Sequence, residues 1–115
     1  MIHSQKTKQL GRERGQRKAL LASLAVSLVR DEKIKTTETK AKVLRSMVER
    51  LVTQAKNNNL SARRILIAKV GAISAKKLMG IIAPKYKDRQ GGYLRIIKLN
   101  DRKADGAKIV QIEFV

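Results

Sequence analysis

In this 115-residue chain, 27 Lys and Arg face 9 Asp and Glu, for a formal net charge of +18. That balance argues against a merely soluble basic domain and for a polyanionic partner, nucleic acid first and an anionic membrane second. Exchanging condensed counterions for Lys and Arg relieves the self-repulsion of so basic a protein. There is no Cys, which excludes disulfides and thiolate zinc sites. The length suits one domain, with room for a tail.

The first eighteen residues are polar and basic, carrying Lys6, Lys8, Arg12, Arg14, Arg17 and Lys18 against Glu13 alone. Too little apolar surface is present to offset the entropy of ordering them. Residues 1–18 are expected to form a basic extended arm that orders along phosphates, the alternative being a frayed terminus. Ala19–Arg30 reads as a first helix, with Leu20, Leu24 and Leu28 at four-residue spacing. Ile34 between Lys33 and Lys35 reads as a short strand, Ile34–Thr36. Thr36 and Thr37 offer helix caps, and Glu38 suits the positive end of a helix dipole.

From Thr37 to about Lys56 the apolar residues Leu44, Met47, Val48, Leu51, Val52 and Ala55 recur at helical spacing. Lys40, Lys42 and Arg45 fall off that stripe. Together with Arg30, Lys33 and Lys35 they are expected to line one helix–strand–helix corner. Asn57-Asn58-Asn59 suits a turn and left-handed backbone. Ser61 is the expected cap of a third helix, stapled by Leu60 and Ile65 and stopped by Gly71. Ser74 is the expected cap of a fourth, holding Leu78, Met79, Ile81 and Ile82 and ended by Pro84. A basic loop follows with Lys85, Lys87 and Arg89, closing on Gly91-Gly92, whose backbone can approach an anion. Tyr93–Asn100 and Lys108–Val115 read as a hairpin through a turn containing Asp105-Gly106. Tyr93 is a candidate to stack on a base, the alternative being a core residue with a wet hydroxyl.

Leu, Ile, Val and Phe exceed the roughly 20% floor for a charged chain that folds, although one Phe, two Tyr and no Trp leave few large anchors. The fold class expected is α+β: a small three-stranded sheet packed by about four helices, in a globular unit over residues 19–115. The N-terminus shows no apolar core of a secretory signal. No run of about 18 apolar residues is present to cross a membrane. A cytoplasmic setting is expected, with an organelle matrix left open.

Three runs carry a resemblance. The first is Leu28-Val29-Arg30 through Ile34-Lys35-Thr36-Thr37 and Lys40-Ala41-Lys42 to Leu44-Arg45. The second is Leu10-Gly11-Arg12 followed by Arg17. The third is Arg89-Gln90-Gly91-Gly92-Tyr93-Leu94-Arg95. Together they resemble the bacterial large-subunit ribosomal protein L-seventeen family from Leu10 to Val115. Ile2 and Ser4 flank His3 where that family commonly has Arg, and Gln16 stands where it often has His. The resemblance implies a non-catalytic protein bound to large-subunit ribosomal RNA beside other ribosomal proteins, at the subunit surface near the nascent-chain exit. It also implies RNA contacts from His3 and the arm, from the corner Arg30–Arg45, and from the loop Lys85–Arg95.

No active site is expected. The one His, His3, has no carboxylate near it in sequence, and Asp31-Glu32 read as charge balance beside Arg30 and Lys33 rather than an acid–base pair. Metal-ligand spacing, a phosphate-binding glycine loop and a serine elbow are absent. No cofactor, metal or small-molecule substrate is expected. A DNA-architectural protein is the alternative; it accounts for the charge but not for the three runs. A small RNA-processing enzyme is the third reading.

Overall fold

Residues 14–100 and 106–115 are described by the structure, a computed structural model. Helix α1 (Arg14–Asp31) leads through Glu32 into strand β1 (Lys33–Thr37), which runs directly into α2 (Glu38–Lys56). A third helical span, α3 (Leu60–Lys77), continues through a π turn (Leu78–Ile82) and one α turn (Ala83–Lys85). Strands β2 (Leu94–Lys98) and β3 (Ile109–Phe114) close the chain. The sheet is antiparallel throughout, in the order β1-β3-β2.

The expected α+β architecture and three-stranded sheet are present. The helix count differs: three long spans stand among the described residues where about four were expected. Gly71 adopts φ 86° and ψ 167°, a region essentially reserved for glycine. There it interrupts the helical backbone, as expected of a stop, and helix resumes directly beyond it, so the expected third and fourth helices meet at a kink within one span. Pro84 does not keep Ala83 out of the helix, and the span ends one residue beyond it, at Lys85. The N–H of Ala83 bonds the carbonyl of Leu78, and Pro84 sits in the first turn after this wider loop. There its missing N–H leaves no helical bond unmade.

Helix α1 already includes Arg14, ahead of the expected start at Ala19, so Arg14, Arg17 and Lys18 belong to a helix and not to an extended arm. Once nucleated by the apolar residues downstream, a helix propagates through Gln, Arg and Lys, which are good helix formers. The cap of α3 is likewise corrected. The side chain of Asn59, not that of Ser61, accepts from the N–H of Ala62 at 2.7 Å. Leu60 and Ile65 remain exposed instead of forming a staple. Asn58 takes the left-handed backbone expected of the Asn run, at φ 51°. Ser74 is buried inside the second arm of α3.

The helices cover one face of the sheet. Ala25, Leu28 and Val29 of α1 meet Leu44, Val48, Leu51 and Val52 of α2, Leu66 and Leu78 from the α3 span, and Val110 and Ile112 of β3. Each fully buried Leu, Ile or Val contributes about 1.5–3 kcal/mol relative to exposure. In register, Ile34, Ile112 and Ile96 form a row on the helix side. The neighbouring row of Lys33, Glu113 and Arg95 lies on the opposite face, as two-residue alternation requires.

Candidate nucleic-acid interface

The α1–β1–α2 corner is held by backbone geometry and one carboxylate. Glu32 has φ 64°, and its carbonyl accepts from the N–H of Phe114 at 3.1 Å. Its carboxylate meets Lys77 at 3.3 Å and Lys85 at 3.1 Å. Lys77 also donates to the carbonyl of Arg30 at 2.9 Å. The Lys85 hydrogen bond foremost holds Glu32 below the usual carboxylate range; burial opposes it, and the Lys77 hydrogen bond and the two ammonium charges add to the lowering. Asp31 is paired with Arg30 at 3.0 Å, which lowers its pKa in the same way. The expected charge balance is therefore real, but Glu32 is balanced by lysines distant in sequence and not by Lys33.

Beyond the corner, β1 turns directly into α2. Thr37 occupies the cap position in extended backbone, yet its hydroxyl caps nothing. The free N–H of Glu38 instead donates to the carbonyl of Lys108 at 3.0 Å. Thr36 lies half-buried in β1. Glu38 pairs with Lys42 at 3.1 Å, one helical turn on. Its pKa is lowered first by that hydrogen bond and charge, and further by Lys108 and Lys98.

Side-chain placement divides the expected corner between two faces. Lys33 and Lys35 stand on the outer face of the sheet, where Arg95 pairs with Glu113 at 2.6 Å. Arg95 and Gln111 hold Glu113 ionised to low pH, aided by Lys33. Lys42 and Arg45 lie on the other side, where they border a depression with Lys98, Ile96 and Val110. Lys42 also borders a second depression with Lys108 and Ala107. Lys98 and Lys108 escaped the sequence-based site. Their signal was positional: Lys98 shares the parity of Leu94 and Ile96, so at the strand's end it reaches the start of α2 rather than the outer face.

The loop after α3 carries Lys87 and Arg89, both exposed, and Lys85 bound to Glu32. Gly91 at φ 137° and Gly92 at φ 63° turn the chain into β2, conformations that a side chain disfavours. Tyr93 is not a stacking platform. Its ring is 1% exposed, packed 5.2 Å from the ring of Tyr86, with the Lys56 ammonium 5.3 Å from its centroid. Its hydroxyl bonds Lys56 and the carbonyl of Arg89, each at 3.3 Å. The aromatic residues are so few that the core claims this one. His3, Lys6, Lys8 and Arg12 lie outside the described residues.

The family described as Ribosomal protein L17 matches over residues 20–115. A large ribosomal subunit protein bL17 of Rickettsia bellii is 50% identical, over all of this chain and 82% of that protein. Those of Orientia tsutsugamushi and Halalkalibacterium halodurans are 47% and 46% identical, over 100% and 93% of this chain and 80% and 97% of their own lengths. The motifs, the basic corner and these full-length similarities agree, and the chain belongs to the ribosomal protein L17 family.

Proposed function

We propose that this protein is a structural, non-catalytic constituent of the large ribosomal subunit, in the ribosome of the cytoplasm, that binds and stabilises large-subunit ribosomal RNA beside neighbouring ribosomal proteins. One observation carries the mechanism. Among the described residues, Arg30, Lys42, Lys77, Lys85 and Arg95 already hold carboxylates. Lys35, Lys40, Arg45, Lys98 and Lys108 have no ion pair there: Arg45, Lys98 and Lys108 border the depressions where the sheet meets α2, Lys40 stands in the first turn of α2, and Lys35 stands on the outer face of β1. Phosphate oxygens would complete them. The already paired cations hold the corner in shape while the others meet RNA.

Residues 1–13, with His3, Lys6, Lys8 and Arg12, act as a basic arm along the RNA backbone, continued by Arg14, Arg17 and Lys18 on α1. Lys33, Lys87, Arg89 and the Gly91-Gly92 turn extend the surface on either side. Phosphate contacts position a protein without reading sequence, so the shape of folded RNA supplies the selectivity.

Filter binding to large-subunit ribosomal RNA across a salt series tests this. Lys35→Ala with Lys40→Ala, and separately Lys98→Ala with Lys108→Ala, should each weaken binding and flatten the log–log salt slope by about one for every phosphate that is no longer neutralised. Unchanged affinity and slope in both would remove this surface from the interface. Equal affinity for duplex DNA would point instead to an architectural DNA-binding role.

A further inference from the structure

We propose that the cleft between the C-terminal end of α2 and the π turn receives one unstacked base of the ribosomal RNA. The proposal rests on the RNA-binding reading above and adds to it a site that reads a base rather than a phosphate. The cleft has a volume of about 330 Å³ and an apolar floor of Ala55, Met79, Ala83 and Pro84. Lys56, Asn58 and Lys87 supply its polar lining, and no carboxylate is among the residues that border it.

These parts match what an extruded nucleotide offers. The proline ring and the polarisable thioether of Met79 are surfaces for the flat face of a base. The Asn58 amide has both a donor and an acceptor for a base edge and makes no hydrogen bond among the described residues. Asn58 is held at φ 51° in the turn, so its position is set by the backbone. Lys87 is exposed and without an ion pair among the described residues, available to the adjoining phosphate. Lys56 is already fixed by the carbonyl of Arg89 and the hydroxyl of Tyr93, which keeps a positive charge beside the cleft without a search for its rotamer. The wall containing Met79 is the π turn itself, an interruption of helical geometry that often accompanies binding sites. Charge selects the occupant: a cleft rimmed by lysines and free of acids favours a nucleotide over an apolar or basic side chain of a neighbouring protein. A base outside a duplex is the one that enters, because a stacked, paired base would first have to be unpaired and pulled out.

The test is chemical probing of base edges on large-subunit ribosomal RNA bound by the full chain, with hydroxyl-radical footprinting of the RNA backbone in parallel. The wild-type protein should shield the Watson–Crick edge of one unpaired nucleotide. Asn58→Gly removes the amide and accepts the left-handed backbone, so it should restore that reactivity and weaken binding by about three- to tenfold. Lys87→Ala should partly restore it, which keeps the test decisive even if the glycine variant folds poorly. A backbone footprint with no base whose shielding depends on either residue overturns the base site and leaves the RNA-binding reading standing. A wild-type chain without any footprint overturns both. A photoreactive group at position 87 that joins to a neighbouring protein and not to a nucleotide also overturns the base site.

Discussion

The carboxylate of Glu32 lies 3.1 Å from the ammonium of Lys85 and so ties the α1–β1 corner to the far end of the α3 span. Lys77 holds the same carboxylate from a second side, at 3.3 Å. One residue at a left-handed backbone position thereby fixes the direction in which β1, and with it the basic corner, leaves the helices.

This pairing gives stability a definite pH dependence. Glu32 has its folded pKa depressed, chiefly by the hydrogen bond from Lys85. Such a group contributes stability above its unfolded pKa, near 4.3, and that contribution is lost as pH falls through the folded value. Glu38 and Glu113, depressed chiefly by Lys42 and Arg95, act in the same direction. The urea midpoint should therefore drop below about pH 4.5, and Glu32→Gln should make the drop shallower. These pairs are partly solvated and screened, so the difference will be modest. Parallel curves for the two proteins would show that the Glu32 pairs add nothing.

Two glycines on the third helical span should respond oppositely to alanine. A Cβ at either Gly71 or Gly80 meets nothing within 4 Å, so crowding decides neither case. Gly71 sits at φ 86°, where a side chain is strained, and Gly71→Ala should cost about 1–3 kcal/mol. Gly80 lies within the continuous helical stretch, and Gly80→Ala should stabilise by about 0.4–1 kcal/mol through a less flexible unfolded chain. Thermal unfolding of the two variants resolves the sign. Stabilisation by Gly71→Ala would mean that the kink is dispensable.

The two tyrosines separate core from RNA surface. Tyr86 donates to the carbonyl of Val115 at 2.7 Å, so Tyr86→Phe should cost about 0.5–1.5 kcal/mol. Tyr93→Phe keeps the buried ring and, with the carbonyl of Arg89 still holding Lys56, should leave ribosomal RNA affinity unchanged. Tyr93→Leu empties part of the core and should lower the unfolding midpoint before it affects RNA binding in the folded protein. Denaturation and filter binding on the same samples check both, and a loss of affinity in stable Tyr93→Phe would return this residue to the interface.

Deleting residues 1–13 removes Lys6, Lys8 and Arg12 and keeps every described residue of α1, Arg14–Asp31. The truncated protein should keep its circular dichroism spectrum. Its log–log salt slope for ribosomal RNA should fall by at most about 2–3. Unaltered slope and affinity would show that the arm does not touch phosphate.

Repeating patterns in the sequence were enough to place α2, all three strands and the face of β3 that carries Val110 and Ile112. Each of these depends on apolar periodicity, which is a local property of the chain. Net charge likewise determined the class of partner, and the three motif runs determined the family. That α1 takes in Arg14, Arg17 and Lys18 was not legible, because a helix extends beyond its apolar nucleus into residues that need no burial. Nor was the partner of Glu32, because Lys77 and Lys85 reach it only after the third span has folded back. Tertiary structure also decided which cations remain available, dividing Lys33 and Lys35 from Lys42 and Arg45 across the sheet and adding Lys98 and Lys108. It also chose the core over the RNA surface for Tyr93, where the sequence left both open. Burial and ion pairing depend on neighbours distant in sequence, so local spacing determines which residues are basic or apolar, and only packing decides which of them still face a partner.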